Sequence, residues 1–175
     1  MLDVSVSYNR YMFLGNEFLT WLWFVIENER GLIDSPEQEP VILGIGNRIS
    51  FENRLNDDSV ESITIKGDDA GLEEGVLALR KGSLVTELNI SLKIGDGEWR
   101  FNVKGESLNF STLKHPETAP LETKDDRDGA VLEKAYLYNK AIDVVDHMFK
   151  KFMKLRISDS WNGDVVPRMK AWIAS

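Results

Sequence analysis

FLGNEFLTWLWFVIE, residues 13–27, packs two tryptophans, further large aromatics and several aliphatics around a single threonine. Gly15-Asn16 followed by Glu17 predicts a helix start, with Asn16 as N-cap and Glu17 favourable in the first turn. Gly31 supplies a stop. Phe18, Trp21, Leu22 and Val25 fall on one face at helical spacing, while Leu19, Trp23 and Ile26 fall on the other. A helix that is apolar all round has to be covered on several sides. It is therefore either the central helix of the domain or, through Phe18, Trp21, Trp23 and Phe24, an interface with a partner. Membrane insertion is excluded, since the apolar reach is far short of the ~20 residues that span a bilayer. A signal peptide is excluded too, because the run is followed by Glu27-Asn28-Glu29-Arg30 rather than by a small-residue cleavage site.

Outward from this helix the chain alternates between strand and helix signals. A charged, proline-containing loop over 34–40 leads to a strand at 41–46, and further strands are predicted over 48–52 and 60–66. Asp68-Asp69 can cap a short helix over 70–80 that Gly82 ends. Residues 84–94 and 99–103 alternate around Gly95-Asp96-Gly97 and predict a hairpin, with a further short strand over 108–110. After a polar loop over 114–129, a long helix over 129–157 carries Val131, Ala135, Tyr138, Ile142, Val145, Phe149 and Phe152 at alternating steps of four and three, a heptad stripe. Leu137, Ala141, Val144, Met148 and Leu155 widen it. Asp159-Ser160-Trp161-Asn162-Gly163 breaks the helix before a short amphipathic end. The fold class is α+β: one domain over 1–175, an antiparallel sheet packed against a buried N-terminal helix and a long C-terminal helix.

With 175 residues, 42% hydrophobic and 29% charged, the composition is that of a single globular domain. Cysteine is absent, which excludes disulfides and thiolate metal sites and fits a reducing, cytoplasmic setting. The net charge of −8 argues against a surface that binds nucleic acid everywhere. The charge is uneven, however. Residues 147–175 hold six Lys/Arg (Lys150, Lys151, Lys154, Arg156, Arg168, Lys170) against Asp159 and Asp164, a formal +4, so the remainder carries −12. Clustered cations interleaved with Phe149, Phe152, Trp161 and Trp172 suit contact with a nucleic-acid backbone. Cations also complement the dipole at a helix C-terminus.

Reaction chemistry is sparse. His115 and His147 lie far apart, and Asp143 with His147 at i, i+4 is the one spacing suited to a metal half-site, commoner as a surface pair. GxSxG is absent, and Gly44-Ile45-Gly46-Asn47-Arg48-Ile49 lacks the third glycine of a dinucleotide turn. The expectation is a protein that is not an enzyme, with no metal and no cofactor.

Residues 13–23, FLGNEFLTWLW, with Glu27 closing the helix, resemble a segment in the C-terminal half of RdgC-like, recombination-associated bacterial proteins. GVLALRKG (75–82), Trp99-Arg100-Phe101 and FKKFMKLRISDSW (149–161) resemble later elements of that family in the same order, with the first motif the most specific. The resemblance implies DNA-binding proteins of recombination, which assemble as ring-shaped dimers around duplex DNA and restrain the strand-exchange recombinase. It transfers no catalytic residue. On this resemblance the chain corresponds to the C-terminal half of a larger family member, as a domain of a longer protein, as one product of a split gene, or as a short phage-type relative. The functional expectation is a non-enzymatic, nucleic-acid-associated protein of DNA recombination or replication, contacting phosphates through its basic C-terminal helix end. Expected partners are DNA, recombination proteins and a second copy of the chain, without a membrane. The alternative is a protein–protein assembly module with no direct DNA contact.

Overall fold

The computed structural model describes residues 13–29, 32–33, 40–56, 59–67, 71–118 and 126–175. Gly31, the loop over 34–39, the Asp68-Asp69 cap and the loop over 119–125 lie outside the described residues. The fold is α+β. In chain order it runs α1 (Phe13–Asn28), β1 (Leu32–Ile33), β2 (Val41–Asn56), β3 (Ser59–Lys66), α2 (Gly71–Arg80), β4 (Leu84–Ile94), β5 (Gly97–Lys104), β6 (Phe110–Lys114), α3 (Asp126–Arg156), a π-helical turn (Trp161–Val165) and α4 (Val166–Ala174).

The sheet is antiparallel throughout, in the order β1-β2-β4-β5-β6, with β3 also paired to β2. The expected strands over 41–46 and 48–52 are one long strand, whose first residues hold β1 and whose second half holds β3. A register shift between Ile45 and Ile49 lets that strand continue through its glycines. The hairpin turns where the sequence predicts, with Gly95 at φ +55° and Ile94 opposite Gly97. The short helix also stops as predicted. Gly82 at φ +87° lets its own N–H reach the Leu79 carbonyl while Ser83 N–H reaches Ala78, a Schellman closure. The strand expected over 108–110 instead begins at Phe110 and runs to Lys114.

Helix α1 lies against the sheet, touching β4 and β2, and α3 and α4 cover it. Phe18 meets Phe149 and Phe152 of α3, Trp23 meets Phe51 of β2 and Trp172 of α4, and Phe24 meets Trp172. The interface expected of Phe18, Trp21, Trp23 and Phe24 is thus an internal one. All four are at most 3% exposed, so they present almost no area to a partner. The helix start differs as well. Asn16 sits in the second turn, where its main-chain carbonyl accepts from the Thr20 hydroxyl (2.9 Å), and it caps nothing.

On α3 the buried face is Ala141, Val144, Val145, Met148 and Phe152, with Leu137 packed alongside. The heptad stripe therefore describes the second half only. Val131 and Leu132 are 65% and 71% exposed, and Tyr136, Tyr138 and Ile142 are exposed too. A single helix laid on a globular core follows the 3.6-residue period, so a stripe at period 3.5 drifts off the contact line. Near the middle of α3 the Trp99 indole donates to the Leu137 carbonyl at 3.0 Å and the His115 ring stands edge-on to Tyr138. N-terminal to that clamp most residues are exposed. Hydrogen exchange should read this directly, with amides over 128–135 exchanging at least about two orders of magnitude faster than those over 141–152.

Candidate functional site

The sequence points to the cationic end of the chain, and the structure divides it. Lys150, Lys151 and Lys154 are exposed on α3, at spacings that set them on adjoining faces of its last turns. Lys150 is held by Asp146 one turn earlier, and that carboxylate raises the lysine above its ordinary pKa, first by hydrogen bonding and then by charge. Lys151 and Lys154 have no ion pair among the described residues. Arg156 points elsewhere. Its Nε donates to Glu17 of α1 at 2.8 Å and its guanidinium lies 5.3 Å from the Trp161 ring centre. It locks α3 to α1 and is withdrawn from the exposed set. Arg168 pairs with Asp164 (3.6 Å) and stacks over Phe24, while Lys170 is exposed on α4. The six expected contacts thus become three lysines on α3 and two cations on another helix.

The aromatics read as base-stacking partners pack inward too, Phe152 and Trp161 fully and Phe149 and Trp172 in part. Phe152 and Trp161 are buried and stand edge-to-face at 5.5 Å, and Trp172 packs on Trp23 and Phe24. Such edge-on packing is how aromatic cores hold together. Among the described residues, the rings nearest the lysines, Phe149 and Phe152, are packed against other rings rather than free to stack a base.

Among the described residues the helices cover one face of the sheet and leave the other open. Its outward positions follow the strand alternation: Leu88, Ile90 and Leu92 point inward on β4, so Asn89, Ser91 and Lys93 point outward. Trp99, Phe101 and Val103 do the same for Glu98, Arg100, Asn102 and Lys104 on β5. Arg48, Lys66, Lys93, Arg100, Lys104 and Lys114 outnumber Glu52, Glu87 and Glu98 on this face, against the acidic balance of the whole chain. In its middle Arg48, Asn89, Arg100, Asn102 and Lys114 line a hollow of about 310 Å³. Sequence reading passed over it. The polar parity of β4 and β5 was visible, but nothing local shows which outward residues of four strands meet.

The histidines do not build a site. His115 Nδ1 donates to the Pro116 carbonyl at 2.6 Å. Among the described residues no group of three or more His, Asp or Glu is placed to hold a metal ion. Nor is any described helix long and apolar enough to cross a membrane. Comparison with protein-family models, with curated proteins and with solved structures gives no match.

Proposed function

We propose that the chain is a non-enzymatic, cytoplasmic, nucleic-acid-associated protein of DNA recombination or replication that contacts backbone phosphates through the end of α3. The observation that carries this reading is the exposure of Lys150, Lys151 and Lys154 together, with two of the three unpaired among the described residues. The likeness of residues 13–23 to RdgC-like proteins supports the same class of partner. Binding of this kind is electrostatic and driven by counterion release, so it is legible in its salt dependence. Fluorescence anisotropy of labelled duplex, titrated at several salt concentrations, should show salt-sensitive association. The double reversal Lys150→Glu with Lys154→Glu should weaken it about uniformly across sequences and flatten the slope of log K against log salt by roughly 2, since each duplex phosphate contact contributes about 0.9. A slope unchanged by that variant would remove these lysines from the interface.

A second reading has its own observation, the exposed first half of α3. Val131, Tyr138 and Ile142 keep heptad spacing and are 65%, 40% and 43% exposed, as in a helix that pairs with another copy of itself. Light scattering after gel filtration tests it. A dimer that Val131→Glu with Ile142→Glu converts to monomer is the result this reading requires, and a strict monomer at high concentration would eliminate it.

A further inference from the structure

We propose that the hollow on the open face of the sheet is a binding site for the phosphate group of a small phosphorylated molecule, held by Arg48, Arg100 and Lys114 above a fixed pair of asparagines. The site is independent of the lysines on α3, which belong to another element on the helical side of the fold.

Two irregularities in the sheet create the hollow. Asn89 of β4 stands opposite Asn102 of β5. On one side, β2 pairs Ile45 with Ile90 and then Ile49 with Leu88, so residues 46–48 together oppose Asn89. On the other side, β6 pairs Lys114 with Arg100 and then Ser111 with Asn102, so Thr112 and Leu113 both oppose Phe101. Extra residues in a strand bend it and re-aim its side chains, and such bulges gather beside functional sites. Here they occur on both flanks of the same asparagine pair. Thr112 sits at φ +52°, a left-handed conformation that a β-branched residue adopts only where its surroundings force it.

The floor is rigid. Asn89 Oδ1 accepts from the Asn47 N–H at 3.2 Å, and its Nδ2 donates to the Asn102 side-chain oxygen and to the Phe101 carbonyl. Asn102 is 6% exposed. A Cβ on Gly46 would collide with the Asn89 amide, so glycine at 46 is what lets β2 bend over that side chain.

The walls are donors. Among the described lining residues are three cations and no carboxylate. Glu87 and Glu98 stand outside the hollow and hold two of the cations by one edge: Arg48 Nη2 lies 3.6 Å from Glu87, and Arg100 Nε and Nη2 donate to one oxygen of Glu98 at 3.1 and 3.0 Å. Arg48 Nε is buried and has no acceptor among the described residues. Such an N–H is costly to leave unpaired, and a rotation of the partly exposed Arg48 side chain would offer it to an anionic oxygen in the hollow. Guanidinium, ammonium and hydroxyl donors around a hollow whose described lining holds no carboxylate match a doubly charged phosphate better than a singly charged carboxylate. Among the described residues no aromatic lines the hollow, so none of them offers a base a stacking surface there. The ligand's body is accordingly polar, of the sugar-phosphate or glycerol-phosphate kind.

The test is a titration of the ¹⁵N-labelled protein followed by amide resonances, at constant ionic strength, with glycerol 3-phosphate, with glycerol alone, and with a short oligonucleotide lacking terminal phosphate. Saturable shifts of the Asn89 and Asn102 side-chain amides and of the backbone over 46–48 and 111–114 are expected with glycerol 3-phosphate and not with glycerol. Arg100→Gln with Lys114→Gln, both at exposed positions, should weaken the binding at least about tenfold, while Lys150→Gln with Lys154→Gln leaves it as in the wild type. Shifts that never saturate, or that persist equally in the Arg100/Lys114 variant, would overturn the site. Tighter saturation of the same amides by the oligonucleotide would assign the phosphate to a nucleic-acid backbone and overturn the small-molecule ligand.

Discussion

Phe152→Ala is expected to remove about 3–5 kcal/mol of folding stability, the range for deleting a fully buried aromatic ring. Phe152 is completely inaccessible and stands within 5.5–6.1 Å, centre to centre, of Phe18, Trp21, Phe149 and Trp161. Those four rings come from α1, α3 and the π-helical turn, so the residue joins the C-terminal segments to a helix more than 120 positions earlier in the chain. Rings fixed by separate elements cannot collapse together into the space one of them leaves, which places the cost at the upper part of the range. A domain of this size typically has 5–15 kcal/mol in total. The loss should lower Tm by roughly 6–20 °C, at about 2–4 °C per kcal/mol for this chain length. Phe149→Ala makes the useful comparison, because Phe149 is only partly buried and should cost less. Urea denaturation of both variants, with unchanged m-values, checks the ranking. Equal effects, or a loss below about 1 kcal/mol for Phe152, would mean that α3 does not seat on α1 as described.

The contrast between what the chain announces and what it conceals follows from range. Helix α1, the β4–β5 hairpin and the Gly82 stop were legible because each is fixed by neighbours within a few residues: an apolar run of helical length, an alternation around a glycine turn, a glycine at positive φ. That α1 must be covered on several sides was legible too, from its lack of a polar face. What covers it was not. Whether Trp23 meets Phe51 and Trp172 or another molecule depends on residues up to 149 positions away. The phase of the buried face on α3 failed for a related reason. A heptad and a 3.6-residue stripe share residues over two turns and part company over eight, and the sequence offers both sets. Arg156 shows the effect on a candidate site. By local pattern it belongs with Lys150, Lys151 and Lys154, yet a partner 139 residues earlier in the chain takes it out of that set. The hollow on the sheet was the least legible feature. Asn89, Arg100 and Lys114 look like the ordinary solvent side of three strands, and only the coincidence of two bulges brings them around one volume.

Gly15→Ala is expected to destabilise the protein by about 2 kcal/mol or more, although helix propensity alone predicts the opposite sign. Glycine inside a helix costs about 1 kcal/mol relative to alanine, so an unobstructed substitution there should stabilise. At Gly15 it is obstructed. A Cβ would overlap the Gly105 carbonyl oxygen and lie 2.6 Å from its carbonyl carbon, backbone atoms with no rotamer to escape into. The Gly105 N–H donates to the Thr86 carbonyl at 2.8 Å, which pins that turn to β4. Relief therefore requires α1 to move, and α1 is packed between the sheet and two helices. Overpacking of this kind costs 1–3 kcal/mol where side chains can yield and more where they cannot. Gly129→Ala is the matched control: it too lies in a helix, α3, but beyond its own helix neighbours no atom of the described residues stands within 4 Å of its Cβ position, and it should stabilise by roughly 0.5–1 kcal/mol. Opposite signs for the two substitutions, read by thermal melts of the single variants, are the required result. If Gly15→Ala stabilised as Gly129→Ala does, the close approach of α1 to the turn after β5 would be wrong. The seating of Glu17 against Arg156, which lies half a turn further along α1, would then go with it.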